Sequence, residues 1–147
     1  MTISALKNKF ETLNTDAIID ESLKQTMPEF ENIQKKQLSS GLTNKGEKIA
    51  PKYRNNKYAA SKAALNPLAG FGTPDLRLTG AFYSGIDAEV GSNVIDIISK
   101  DEKGPALESK YPNIFGLGTS FKTDYLDNDL RPLVHQKITN FLGLSFK

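Results

Sequence analysis

Apolar positions recur with two different periods along the chain, and each period predicts a different kind of element. Ile3, Leu6, Phe10, Leu13 and Ala17 are spaced alternately by three and four residues, which is the stripe of an amphipathic helix. Asn14 and Thr15 interrupt that stripe and offer a cap for a second helix through Ile18, Ile19 and Leu23. The run Thr26-Met27-Pro28-Glu29 reads as a restart. Thr26 is the cap, Pro28 sits in the first turn and Glu29 takes the capping-box position. The third helix carries Phe30, Ile33 and Leu38 and stops at Gly41. Residues 1–40 are therefore expected to form an N-terminal helical arm.

Residues 41–54, GLTNKGEKIAPKYR, are rich in turn formers. Lys57 to Leu65 reads as a short helix, ended by Asn66-Pro67 because the residue before proline avoids the helical region. Residues 68–74 form a loop, and Leu78 to Ser84 a short helix or turn. Ile86, Ala88 and Val90 then alternate with Asp87 and Glu89, the pattern of a half-buried strand. Gly91-Ser92-Asn93 turns the chain into a second strand, Val94 to Ser99. A helix follows from Pro105 to Tyr111, and residues 112–123 read as an extended loop. Leu130, Leu133, Val134, Ile138, Phe141 and Leu142 mark a last helix, capped by Asp127, Asn128 or Asp129, with Pro132 in its first turn and Gly143 at its end. The expected fold class is α+β. The arm precedes a domain over residues 41–147, in which the C-terminal helix packs on a small antiparallel sheet with a hairpin.

Composition narrows the function. The 147 residues suit one domain, and a hydrophobic fraction of 38% points to a modest core, to extended arms, or to surfaces completed by partners. No apolar run is long enough for a membrane span, and MTISALKNKFETLN lacks the apolar segment and cleavage site of a secretory signal. With no cysteine, thiolate chemistry and disulfides are excluded. The net charge of +2 hides an uneven distribution. Between Lys35 and Lys62 stand eight basic residues against Glu47 alone, whereas from Pro67 onward ten acidic residues outnumber eight basic ones.

Candidate chemistry is sparse. His135 is the one histidine and has no second histidine or cysteine to complete a metal site. A Gly-x-Ser-x-Gly elbow is absent. Asp124, Asp127 and Asp129 lack the glycine and distal glutamate of a calcium loop and suit a helix N-terminus. Gly70-Phe71-Gly72 lacks the lysine and hydroxyl of a phosphate loop. Catalytic, cofactor-binding and metal residues are accordingly assigned to none, and no cofactor is expected. A hydrolase built on acidic residues has a low base rate here. The basic stretch interleaves with Tyr53 and Tyr58, a composition that suits nucleic acid, an acidic protein partner, or simply a solvated surface.

The order of the motifs is the most specific signal. Gly41, Gly46, Ile49 and Tyr53 are followed by Tyr58-Ala-x-x-Lys62, then by Asp75-Leu-x-Leu-Thr-Gly80-x-Phe82, then by Tyr111-Pro-Asn-Ile-Phe-Gly-Leu117. Over about residues 38–144 this order resembles small virion proteins of tailed bacteriophages, of the tail-completion, tail-terminator and head–tail connector (neck) type. Pro112 stands where those proteins more often have glycine, and the N-terminal helices add no match. The resemblance implies a non-enzymatic, multi-copy ring subunit of the virion, assembled in the host cytoplasm beside portal, adaptor or tail proteins. It also implies possible non-specific contact with DNA in the lumen and no membrane. The alternative is a basic accessory protein that binds nucleic acid.

A ring needs two different complementary faces on one chain. Lys45, Lys48, Lys52, Arg54 and Lys57 are the expected basic contacts, Asp87, Glu89 and Asp96 on the hairpin the acidic ones, and Ile114, Phe115 and Leu117 the apolar ones. Loops 41–56 and 112–123 are expected to order on assembly, and the hairpin edge to extend into a neighbour's sheet. Leu76 and Leu78 are expected to share one face of an extended segment and anchor in the core, with Asp75 or Thr79 capping the short helix that follows.

Overall fold

The computed structural model describes residues 1–145 and is mixed α/β. Three helices open it: α1 (Ile3–Thr12), α2 (Thr15–Gln25) and α3 (Met27–Ser39). After a loop come α4 (Asn56–Leu65), a single-turn helix α5 (Ala81–Ser84), and strands β1 (Ile86–Val90) and β2 (Ile95–Ser99). Helices α6 (Gly104–Lys110), α7 (Thr119–Tyr125) and α8 (Arg131–Leu142) complete the chain. The two strands form an antiparallel hairpin in which Ile86 faces Ser99 and Val90 faces Ile95.

Local chemistry accounts for most boundaries. The Asn14 carboxamide accepts the Ala17 amide at 3.0 Å and caps α2, as its position predicts. Thr26 behaves differently. Its hydroxyl bonds the Ser22 carbonyl at 2.8 Å and the Tyr125 hydroxyl at 2.7 Å, so it ties α2 to α7 instead of capping α3. Glu29 thus has no capping box to complete. Gly41 ends α3 with φ +67°, and a Cβ there would lie 2.7 Å from the Thr73 methyl, so only glycine fits.

Helix α3, read from sequence as part of the arm, is the spine of the core. Leu38 joins Ile49, Leu76, Phe82, Tyr83, Ile86, Tyr111 and Ile114 in one buried cluster. Met27, Phe30 and Ile33 join Ala88 and Tyr125 in a second, where Tyr125 meets the Phe30 ring edge-on at 5.3 Å. This helix also covers the sheet. Small Ala88 lets it approach closely enough for the Glu31 carboxylate to accept the Ala88 amide at 3.0 Å. The C-terminal helix packs chiefly on α2 and α1, with Lys137 2.9 Å from Glu21 and Lys9 donating to the Leu142 carbonyl at 3.3 Å.

The end of the chain departs from expectation. Residues 112–123 are not an extended loop throughout, because α7 begins at Thr119 and turns Phe121 and Tyr125 inward. No cap opens a separate last helix at 127–129. Residues Leu126–Leu130 form a π-helical turn that runs straight from α7 into α8. The wider turn precedes Pro132, which lacks an amide and would clash with the carbonyl four residues earlier in a regular helix. Loop 41–56 is likewise tied down within the chain. The Thr43 amide donates to Glu47, the Ile49 amide to Gly41 and the Tyr53 amide to Gly72, each within 2.9 Å, and Ile49 is buried.

Candidate assembly surfaces

The motif segments converge on Asp75. Lys62 places its ammonium 2.7 Å from one Asp75 oxygen, with both side chains nearly removed from solvent. The Arg77 amide donates to that same oxygen at 3.1 Å, and Asn66 donates to the other at 3.0 Å. Asn66 also donates to the Ser39 carbonyl at 2.7 Å, which anchors the end of α4 to the end of α3. The Tyr83 hydroxyl donates to the Asp75 carbonyl, and Lys62 donates to the Arg77 carbonyl. Burial alone would raise the Asp75 carboxyl, but hydrogen bonds from Lys62, Asn66 and Arg77 hold it below its ordinary value. Burial, with the Asp75 charge nearby, pushes Tyr53 up, and burial pushes Tyr83 up to about 12.

Leu76 takes φ +58°, so the chain turns there and the alternation expected of an extended segment fails. Leu76 is buried, while Leu78 is 74% exposed, which corrects its assignment as a core anchor. Asp75 does not cap α5. Thr79 does interact there, accepting the Ala81 amide at 3.3 Å, although Gly80 holds the cap position with φ +91°.

The expected apolar contact loop turns inward. Ile114 is fully buried, and Phe115 and Leu117 pack against the two core clusters. Two glutamines hold this loop. Gln34 donates to the Ile114 carbonyl at 2.8 Å and accepts the Gly116 amide at 2.9 Å. Gln37 donates to the Gly116 carbonyl at 2.9 Å and accepts the Gly118 amide at 2.7 Å. Ile114, Phe115 and Leu117 are therefore core residues, because satisfying those backbone groups requires the loop to lie against α3. Sequence reasoning missed the glutamines. Their signal was their place on the stripe Phe30, Ile33, Gln34, Gln37, Leu38, where a polar side chain needs a buried partner.

The basic stretch divides. Lys48 donates to the Ser40 and Ala69 carbonyls at 3.1 and 3.0 Å, and Lys62 is consumed by Asp75. Lys45, Lys52, Arg54 and Lys57 are exposed and make no ion pair among the described residues. On the hairpin, Asp87, Glu89 and Asp96 share the face turned away from the core. Lys100 balances Asp87 at 2.8 Å. Glu89 and Asp96 stand directly opposite each other and make no ion pair among the described residues, although Lys100 is near enough to feel the Glu89 charge. Like charges so placed are destabilising in a single chain. On the outer edge of β1 Glu31 takes the Ala88 amide, whereas the Ile95 and Ile97 amides on the outer edge of β2 have no partner among the described residues, nor has the Val90 amide on β1.

Among the described residues no group of three or more His, Cys, Asp or Glu could hold a metal ion. No helix there is long and apolar enough to cross a membrane. His135 is exposed on α8, where its carbonyl accepts the Thr139 hydroxyl at 2.8 Å. Comparison with protein-family models, curated proteins and solved structures found no match to this chain.

Proposed function

We propose that this protein is a structural virion subunit of a tailed bacteriophage, present in many copies as a ring at the head–tail connector, neck or tail end. It acts by geometry and not by catalysis, joining or completing the tail next to portal, adaptor or tail proteins, within a virion assembled in the host cytoplasm. The observation that carries this reading is the pair of uncompensated surfaces on one chain. Among the described residues Lys52, Arg54 and Lys57 make no ion pair, and the facing carboxylates Glu89 and Asp96 make none, the nearby Lys100 being paired with Asp87. Each surface supplies what the other lacks, as head-to-tail contact between identical copies requires. The motif order supports the same reading.

Charge exchange tests it. Reversing Lys52, Arg54 and Lys57 to glutamate is expected to leave a folded monomer that no longer assembles. Adding Glu89→Lys and Asp96→Lys is expected to restore assembly. Normal assembly by the first variant overturns the electrostatic contact.

A second reading, a nucleic-acid-binding accessory protein, draws on the same cations beside half-exposed Tyr58, whose ring offers a stacking surface. A DNA affinity that falls steeply with salt, without self-association, favours it over the ring.

A further inference from the structure

Three large apolar side chains stand in solvent on one short segment. Leu65, at the end of α4, is 83% exposed, and Leu68 and Phe71 in the following loop are 71% and 58% exposed. The loop is not slack. Ala69 at its centre is buried and its carbonyl accepts Lys48 at 3.0 Å. Asn66 reaches Ser39 and Asp75, and the Gly72 carbonyl accepts the Tyr53 amide at 2.9 Å. A rigidly held loop that displays leucines and a phenylalanine gains nothing from them within one copy, and such exposed patches mark contact sites.

A seat for them lies toward the other end of α3. Helix α2, the tip of the hairpin and the turn after α7 enclose a groove of about 930 Å³. Ile19, Leu23, Phe30, Val94, Leu126 and Leu130 line it. Phe30 marks the groove end of α3 and Ser39, bonded to Asn66, the loop end, so about 14 Å of helix separates them. The Tyr53–Gly72 bond sets exposed Lys52 and Arg54 alongside the apolar loop, while the groove is lined by Asp16, by Asp20, which pairs with Lys24 at 2.7 Å, and by Lys122. Asp129 beside Leu130 lies close enough to Glu29 and Asp124 to feel their charges, which leaves acidic groups on that side.

We propose that the loop around Leu68 and Phe71 of one copy seats in the groove between α2 and the hairpin tip of the next copy. This contact rests on the ring-subunit reading and gives that reading its apolar component. Because knob and groove sit near opposite ends of one rigid helix, the contact is head-to-tail and leaves a free knob and a free groove at each step, which is the property a ring needs.

The absence of cysteine in the chain makes the test clean. Phe71→Cys and Val94→Cys variants are prepared separately, and self-association of each is measured by sedimentation. An oxidised mixture is expected to give disulfide-linked pairs of unlike variants, while each variant alone gives none. Linkage within Phe71→Cys alone overturns the proposal in favour of a symmetric contact. Assembly of the mixture without linkage overturns it while the ring reading survives. An unmodified chain that stays monomeric at every concentration overturns both. In parallel, Leu68→Ser with Phe71→Ser, both at exposed positions, is expected to keep its circular dichroism and melting curve. It should weaken self-association by about tenfold or more, since both apolar side chains would lose their burial in the groove. Unchanged association by that folded variant also overturns the proposal.

Discussion

Lys62 and Asp75 form a buried ion pair at 2.7 Å that joins the end of α4 to the turn before α5. Each comes from a different motif segment, so the two segments are halves of one structural unit. Removing one partner leaves the other charge buried and alone. Asp75→Ala is expected to cost about 3–5 kcal/mol in chemical denaturation, and Lys62→Met a similar amount. The double variant Lys62→Met, Asp75→Leu should lose less than the sum of the two. Additive losses would mean that the pair is not coupled.

The same hub sets a pH profile. Asp75 has a folded-state value below its ordinary 3.8, so the unfolded chain binds the proton more readily. Its contribution is complete above that ordinary value and is lost as pH falls through the lower folded value. Tyr83 is raised from 10.0 to about 12, so its contribution is complete below 10 and is lost as pH rises toward 12. Denaturation midpoints across pH should therefore fall at both extremes. Tyr83→Phe, which cannot ionise, should flatten the alkaline limb, and an unchanged limb would refute the assignment.

Leu78 gives a test in the opposite sense. At 74% exposed it touches little of the core, so Leu78→Asp is expected to fold with stability within about 0.5 kcal/mol of the parent. Leu76→Asp, at the buried neighbour, should not fold. Thermal melts of the two variants separate these outcomes.

Gln37 holds the loop that leads into α7. Gln37→Leu leaves the Gly116 carbonyl and the Gly118 amide without partners and is expected to cost about 1–3 kcal/mol for each buried group left unpaired. Hydrogen exchange at the Gly118 amide should accelerate in that variant. If it does not, the glutamine is not what protects the loop.

The sequence by itself determined the elements governed by neighbours a few residues apart. The stripe Phe30, Ile33, Leu38 fixed the buried face of α3, Asn14 fixed the start of α2, and the alternation Ile86, Ala88, Val90 fixed the hairpin and its inward side. The acidic outer face of the hairpin follows from that same alternation. The tertiary structure alone decided which polar groups are internal and which remain for a partner. Lys48 and Lys62 look like Lys52 and Lys57 in sequence, yet the first two are spent on Ser40, Ala69 and Asp75, because the fold brings those acceptors within 3.1 Å. Ile114, Phe115 and Leu117 sit in a glycine-punctuated segment that reads as an exposed loop, and only the distant glutamines of α3 draw it inward. Leu78 was lost to the core by one backbone angle at Leu76. Such pairings join residues far apart in the chain, and local periodicity carries no record of them.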